Sequence, residues 1–585
     1  MNNTVIGWLF DLYPTPKGMT LWLLDEWGNY YKGVAAFSPS FYLHVNKNEK
    51  GIVESISKHL NCEVSNDWIE KLELYSNKLI KVLEIKVKNP LHLKSVVHEF
   101  ELRFPYYAFF NSDLTYAQSF LFSRNLFPLA YGKYIFDDSM NLLNFELFDD
   151  IDSTEYSVPQ FNIMTLFPCN KEISPKYCHN YTYEIGYDGL KYITETSSSK
   201  EFIEELNNHI KRCDPDIILT QYGDYPVLPQ LESLSKKVGV PLQLNRDEEY
   251  KFQGSKEISY WSYGKVVHRS GSFELAGRWH IDMRNSFIVG ESDLSGLIEL
   301  ARISRIPVQK QARTSIGTGL SSIQLAWAYQ HNILIPAKKQ EWEKFKTASQ
   351  LLLSDRGGLI FLPLMGYHEE VAELDFASMY PSLMSNHNIS PETVNCECCL
   401  NYKVPELNYT ICEKRRGIIP KTLDGVLHKR AVYKEKRNCA KTETEKHEFD
   451  KRQNALKWLL VTSFGYLGYK NARFGKIEAH ESVNAFSRDA LLEAKEIAED
   501  MGFKIIHAIV DCIWVKKKGA VEKDYEELAE CITKKIQVNI SLEGIYKWIL
   551  FPTSKMNSRI PAANRYAGAY KNGKLKVRGL DMRRG

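Results

Sequence analysis

The chain has 585 residues, 44% of them hydrophobic and 25% charged, with a formal net charge of +3. At roughly 150 residues per domain, that length implies about four domains, and the balance excludes wholesale disorder, a collagen-like repeat and a disulfide miniprotein. No run approaches the roughly 20 apolar residues of a membrane span, the N-terminus has no signal-peptide pattern, and eleven mostly scattered cysteines suit a reducing, intracellular (cytoplasmic) setting.

Residues 1–155 mix short strand-like runs with turn residues, as in 41–45 and 79–87, and close on the acidic linker 148–155. A second unit starts near Val158, with a strand over 161–167, a helix over 199–213, a buried strand after Asp214-Pro215-Asp216 and a helix over 294–304. Alternating strands and helices predict an α/β nucleotide-handling domain. From about Pro307 the chain turns helical, passes Gly357-Gly358-Leu359-Ile360 and enters the strand Val371-Ala372-Glu373-Leu374. Two charged helices over 422–438 and 442–462, a helix over 480–501 and one strand over 505–515 follow, a layout that brings the ends of two strands together.

Charge is unevenly spread. Residues 403–476 hold 18 Lys/Arg against 8 Asp/Glu, and residues 565–584 hold 7 against 1. These stretches suit either a phosphate backbone or a solvated helical face.

Two carboxylates stand out. Asp375 follows an apolar strand directly, and Asp511 lies in the apolar run Ile505-Ile506-His507-Ala508-Ile509-Val510-Asp511-Cys512-Ile513-Trp514-Val515. A buried carboxylate is expensive without a cation. A pair of them suits Mg²⁺, which takes one or two carboxylates plus phosphate oxygens. Capped structural aspartates are the plainer alternative.

Here the motifs become recognisable. Asp375-Phe376-Ala377-Ser378-Met379-Tyr380-Pro381-Ser382 resembles motif A of the family B DNA polymerases, and 507–515 resembles their motif C. Arg430-Ala431-Val432-Tyr433-Lys434 and Lys457-Trp458-Leu459-Leu460-Val461-Thr462-Ser463-Phe464-Gly465 resemble their fingers motifs, and Asn564-Arg565-Tyr566-Ala567-Gly568 their basic palm motif. Five motifs in order make the resemblance specific, and it extends to a divergent archaeal branch, also found in bacteria, with degraded motifs.

The resemblance implies a multidomain α/β and α+β fold: an N-terminal α+β domain (1–155), an RNase H-like, exonuclease-derived domain (156–306), a palm of antiparallel sheet and helices (307–421 and 471–585), and helical fingers (422–470). It implies a nucleoid-associated DNA-directed DNA polymerase acting on primer–template DNA and deoxynucleoside triphosphates. Asp375 and Asp511 become the catalytic carboxylates. With the Phe376 carbonyl they are the ligands of two Mg²⁺ ions, Mn²⁺ being a substitute. Phe376, Ser378, Met379, Tyr380, Arg430, Lys434, Lys457 and Phe464 form the nucleotide site, in which Tyr380 excludes a 2′-hydroxyl and the three cations grip the triphosphate. Arg565 and Tyr566 contact the DNA backbone.

The sequence also departs from the family pattern. The first Asp of motif C is Ile509, and Val461 and Phe464 replace the usual Asn and Tyr of the fingers, which predicts slower or less accurate synthesis. The strand over 161–167 lacks the exonuclease Asp and Glu. Val227 stands where the second motif's Asp belongs, Asp224 is out of register, and Asp293 aligns weakly with the third. No 3′→5′ exonuclease is expected. The family continues past 576–584 into a thumb, so a missing thumb, or one supplied by a separate subunit, is expected. The rival reading is a catalytically impaired DNA-binding scaffold or the large half of a split polymerase. Cys396, Cys398, Cys399 and Cys412 leave three readings open: zinc, a redox-labile pair, or no special role.

Overall fold

The protein is described by a computed structural model covering residues 3–45, 61–169, 182–195, 199–250, 253–255, 257–262, 265–269, 271–337 and 343–580. It divides into two compact units, Met1–Ala337 with His428–Leu459, and Lys338–Leu427 with Leu460–Gly585.

The first unit holds three main sheets. One is antiparallel, in the order Tyr30–Ala35, Gly18–Asp25, Asn3–Thr15, Tyr131–Phe136, Leu142–Leu147. Its strand Gly18–Asp25 is buried at every position, as a strand covered on both faces must be. A second sheet, Cys62–Glu73, Lys78–Val87, Ser40–His44, Ala108–Phe110, carries the helix Leu93–Arg103. That helix packs Leu93, Val96, Val97 and Phe100 onto Phe41, Leu43, Leu83 and Ile85, the apolar stripe expected of a one-sided helix.

The third sheet has the α/β character expected over 156–306. Its order is Leu190–Glu195, Thr182–Tyr187, Ile163–Pro168, Ile217–Thr220, Trp279–Asp282, with the last three strands parallel. The helix over 199–213 forms as Ser199–Cys213 and buries Phe202, Ile203, Leu206 and Ile210 in the sheet's core.

The second unit is built on a seven-stranded antiparallel sheet with the long strand Gly366–Phe376 inside it. Aromatic side chains fill the core on one face: Trp514, Tyr546, Phe551, Tyr566 and Tyr570. Helices Met379–Asn386, Ile477–Asp500 and Glu522–Ile536 accompany the sheet. The two charged helices are longer than expected, Ile418–Cys439 and Glu443–Gly468.

One expectation is corrected. The single strand over 505–515 is two strands, Lys504–Ile509 and Cys512–Lys516, paired antiparallel around a turn at Val510 and Asp511. A nearly unbroken apolar run passes through both arms, so the pattern alone reads as continuous. The turn lacks the Asn-Gly or Asp-Gly that marks a tight hairpin. Val510 instead adopts φ +54°, a left-handed conformation that costs a β-branched residue about 1–3 kcal/mol and tends to persist at functional sites.

Candidate active site

The turn correction explains how the two aspartates meet. Asp375 ends the strand Gly366–Phe376, directly opposite Cys512 in the antiparallel register. Asp511 occupies the neighbouring turn, and its carbonyl accepts the Phe376 N–H at 2.9 Å. Ligand atoms of Asp375, Asp511 and Cys512 all lie within 4.8 Å of one another. The Cys512 thiol donates to Asp375 Oδ1 at 2.7 Å.

The electrostatics of this group suit a cation. Desolvation pushes the Asp375 carboxyl up to about 6. The thiol of Cys512 opposes that shift, while Asp511, Glu543 and Glu373 add to it. Asp511 is also raised, by desolvation, with the Lys576 ammonium acting the other way. Carboxylates crowded together resist ionisation, and a divalent ion would relieve that. The oxygen donors fit Mg²⁺ or Mn²⁺; the thiol is a softer neighbour. Ile509, where motif C would carry its first Asp, pairs with Cys512 and packs against the aromatic core.

Sequence reasoning passed over Cys512, Glu373 and Lys576. Glu373, two residues before Asp375 on the same strand, is fully buried. It accepts from Tyr546 and Tyr570 hydroxyls at 2.7 and 2.5 Å and pairs with Lys576 at 2.6 Å. Its only signal was a carboxylate in an apolar strand.

Beside the carboxylates, Tyr380 lies half-buried on the helix Met379–Asn386, its ring 4.4 Å from that of Phe464, which stacks on His480 at 4.0 Å. Gly358 lets the chain pass close by: a Cβ there would sit 2.9 Å from Val510 Cγ2 and 3.5 Å from the Tyr380 hydroxyl. Ser378, at φ +53°, turns the chain into that helix.

Other expected site residues fall elsewhere. Phe376 and Met379 are buried, so their side chains are not presented to a ligand. Tyr566 requires a correction: it is buried at 3% exposure, with its ring 5.4 Å from Trp514 and 5.8 Å from Phe551. It serves the core, because a strand opening with alternating aromatics turns that face inward. Arg565, beside it, is half-buried. In the first unit, Arg430 and Lys434 lie one turn apart on Ile418–Cys439, and Lys457 is exposed on Glu443–Gly468. Those helices are tied by an Arg437–Asp450 pair at 3.0 Å.

The exonuclease-like sheet holds a different arrangement. Asp224 is buried and accepts from Arg313 Nε and Nη2 at 2.8 Å, from Asn285 Nδ2 at 2.8 Å and from the Phe273 N–H at 2.7 Å. Burial would raise its carboxyl, but the Arg313 guanidinium, with the Asn285 hydrogen bond, holds it below the ordinary value. His280 is depressed to about 4 by desolvation and by Arg313, so it stays neutral. Val227 is wholly buried in the sheet's core. Asp293 sits at a kink, φ +51°, paired with His447 at 2.9 Å and Lys451 at 3.1 Å. Among the described residues, metal-competent clusters occur only at Asp375–Asp511–Cys512 and at the four cysteines.

Comparison with known proteins agrees with the motifs. The family description "DNA polymerase family B" matches residues 318–585. DNA polymerase 2 of Saccharolobus solfataricus is 38% identical over 286 residues, 49% of this chain and 42% of that protein. DNA polymerase 1 of Pyrococcus abyssi is 29% identical over 67% of this chain and 56% of its own length. The chain thus spans about half the length of these curated relatives. The DNA polymerase of Archaeoglobus fulgidus is 25% identical over 99% of this chain and 78% of its own. The solved family B DNA polymerase of Pyrobaculum calidifontis shares the fold, with TM-score 0.72 and 20% identity over 99% of this chain and 82% of that one. The chain is similar to archaeal DNA polymerases, and the DNA polymerase family B match lies in its residues 318–585.

Proposed function

We propose that this chain is a template-directed DNA polymerase that adds deoxynucleotides to a primer 3′-end and does not proofread. The observation that carries the reading is the meeting of Asp375 and Asp511 at one end of an antiparallel sheet, inside the family match, with Asp375 set among further acidic groups.

Asp375, the Phe376 carbonyl and Asp511 would hold two Mg²⁺ or Mn²⁺ ions, which supply Lewis-acid chemistry at the primer hydroxyl and the leaving pyrophosphate. The chain's own residues do the rest. Tyr380, braced by Phe464, bears on the incoming sugar and leaves no room for a 2′-hydroxyl. Phe464 lies against the nascent base pair. Arg430, Lys434 and Lys457 bind the triphosphate, whose several charges need several cations. Arg565 holds the DNA backbone without reading sequence. The palm and fingers are 307–421 with 471–585, and 422–470.

Loss of proofreading is supported by the state of the three exonuclease positions. Asp224 already has a guanidinium partner, Val227 is core, and Asp293 is paired on an exposed kink. The domain then acts as a DNA-binding scaffold.

Primer extension with the purified chain in Mg²⁺ and Mn²⁺ tests the reading, beside Asp375→Ala and Asp511→Ala. Extension abolished by both substitutions is expected, with no primer degradation. Absence of extension in either metal, with primer–template binding intact, would overturn it in favour of a scaffold, a reading to which the Ile509 position lends weight.

A further inference from the structure

We propose that Cys396, Cys398, Cys399 and Cys412 bind one structural zinc ion as four thiolates. Their sulfurs all lie within 4.8 Å of one another. The Cys398 sulfur is 3.5 Å from Cys396, 3.6 Å from Cys412 and 3.7 Å from Cys399, and Cys399 is 3.8 Å from Cys412. A tetrahedron with zinc–sulfur bonds of 2.3 Å has edges of about 3.8 Å. A disulfide needs about 2.05 Å, and all four cysteines are free. The separations are therefore those of ligands around one atom.

Backbone geometry supplies a second line. The Glu413 N–H donates to the Cys399 sulfur at 3.4 Å. The N–H groups of Lys414 and Arg415 point at the Cys412 sulfur, and that of Cys398 at Cys396. Amide donors aimed at sulfur stabilise thiolates, and four clustered thiolates require a cation. The set is all soft sulfur, which selects zinc over the hard ions suited to Asp375 and Asp511.

The chain is folded to present this set. Bridges Val394–Ile411 and Lys403–Thr410 bring the two ends of the loop together, and the Cys412 N–H donates to the Thr393 carbonyl at 2.9 Å. The same loop caps the helix Ile418–Cys439. Asn388 Oδ1 accepts from Gly417 N–H at 2.8 Å, Glu392 Oε1 from Ile418 at 2.6 Å and Ser390 Oγ from Ile419 at 3.3 Å. These contacts satisfy donors at the helix start that have no partner within the helix. A zinc ion at the loop's neck fixes the residues that hold that start in place.

The test is metal analysis of the purified full chain, followed by chelation and cobalt replacement. The expected result is one equivalent of zinc per chain, lost in Cys398→Ser and Cys412→Ser but kept in Cys531→Ser. Chelated protein should take up Co²⁺ with thiolate-to-cobalt charge-transfer absorption, and should show faster amide exchange over 388–418. Cobalt uptake by the unsubstituted chain keeps the test valid if the serine variants fail to fold. Metal-free protein that binds no Co²⁺, two disulfides among the four cysteines, or an equivalent of iron in place of zinc would each overturn the proposal.

Discussion

Two carboxylate sites in this protein have opposite electrostatics: Asp224 is buried, whereas Asp375 is half-buried and Asp511 exposed. In the exonuclease-like sheet, Asp224 is neutralised by Arg313 and held ionised. In the antiparallel sheet of the second unit, Asp375 faces other acidic groups and a thiol, and its carboxyl is pushed up to about 6. Both are aspartates near strand ends, yet one sits against an arginine and the other among further acidic groups.

The sharpest way to break this contrast is to remove each carboxylate. Asp375→Ala or Asp511→Ala should reduce primer extension by about a thousandfold or more, equal to about 4 kcal/mol of barrier, with little change in melting temperature. Single-turnover extension rates measure it. Asp224→Ala should do the reverse. It strands the Arg313 guanidinium, at 7% side-chain exposure, and should destabilise the first unit by about 3 kcal/mol, read by urea unfolding, while extension at low temperature persists.

A third carboxylate sharpens the comparison. Asp11 is buried, accepts the Gly277 N–H at 2.9 Å and is raised by desolvation to about 7. Its folded-state value exceeds its unfolded one, so its contribution is fully present below pH 4 and is lost as pH rises through 7. Asp11→Asn removes that dependence. The variant should be more stable than the parent at pH 8 by roughly 2 kcal/mol, with the difference gone by about pH 4 in denaturation curves across pH. The smallest effect is expected at Tyr380. Tyr380→Val should leave deoxynucleotide extension working but reduce discrimination against ribonucleotides by roughly tenfold to a hundredfold, measured as the ratio of kcat/KM values.

These positions also show what the sequence could reveal. Asp375 was legible because an apolar strand ended on it inside a motif, and the helix Ser199–Cys213 because of its helical spacing of apolar residues. The Asp224–Arg313 pair was not, because its partners lie 89 residues apart and nothing local marks a long-range ion pair. The hairpin around Asp511 was hidden by arms that share one apolar run and a turn without glycine. Tyr566 looked like a surface residue of a basic motif, and only the sheet's facing turned it into core. Cys512 passed for one more scattered cysteine, because its meaning comes entirely from standing opposite Asp375 in the register.

The close passage of Gly358 beneath the turn has a consequence for how this sequence can change. Val510 occupies the volume that any side chain at position 358 would need, so the two positions are coupled and their substitutions are non-additive. Order then matters along a mutational path. Val510→Ala first empties the space and eases the left-handed turn, after which Gly358→Ala is admissible. Taken the other way, the first step drives a methyl into a rigid branched side chain next to Asp511, and the lineage must cross a damaged intermediate.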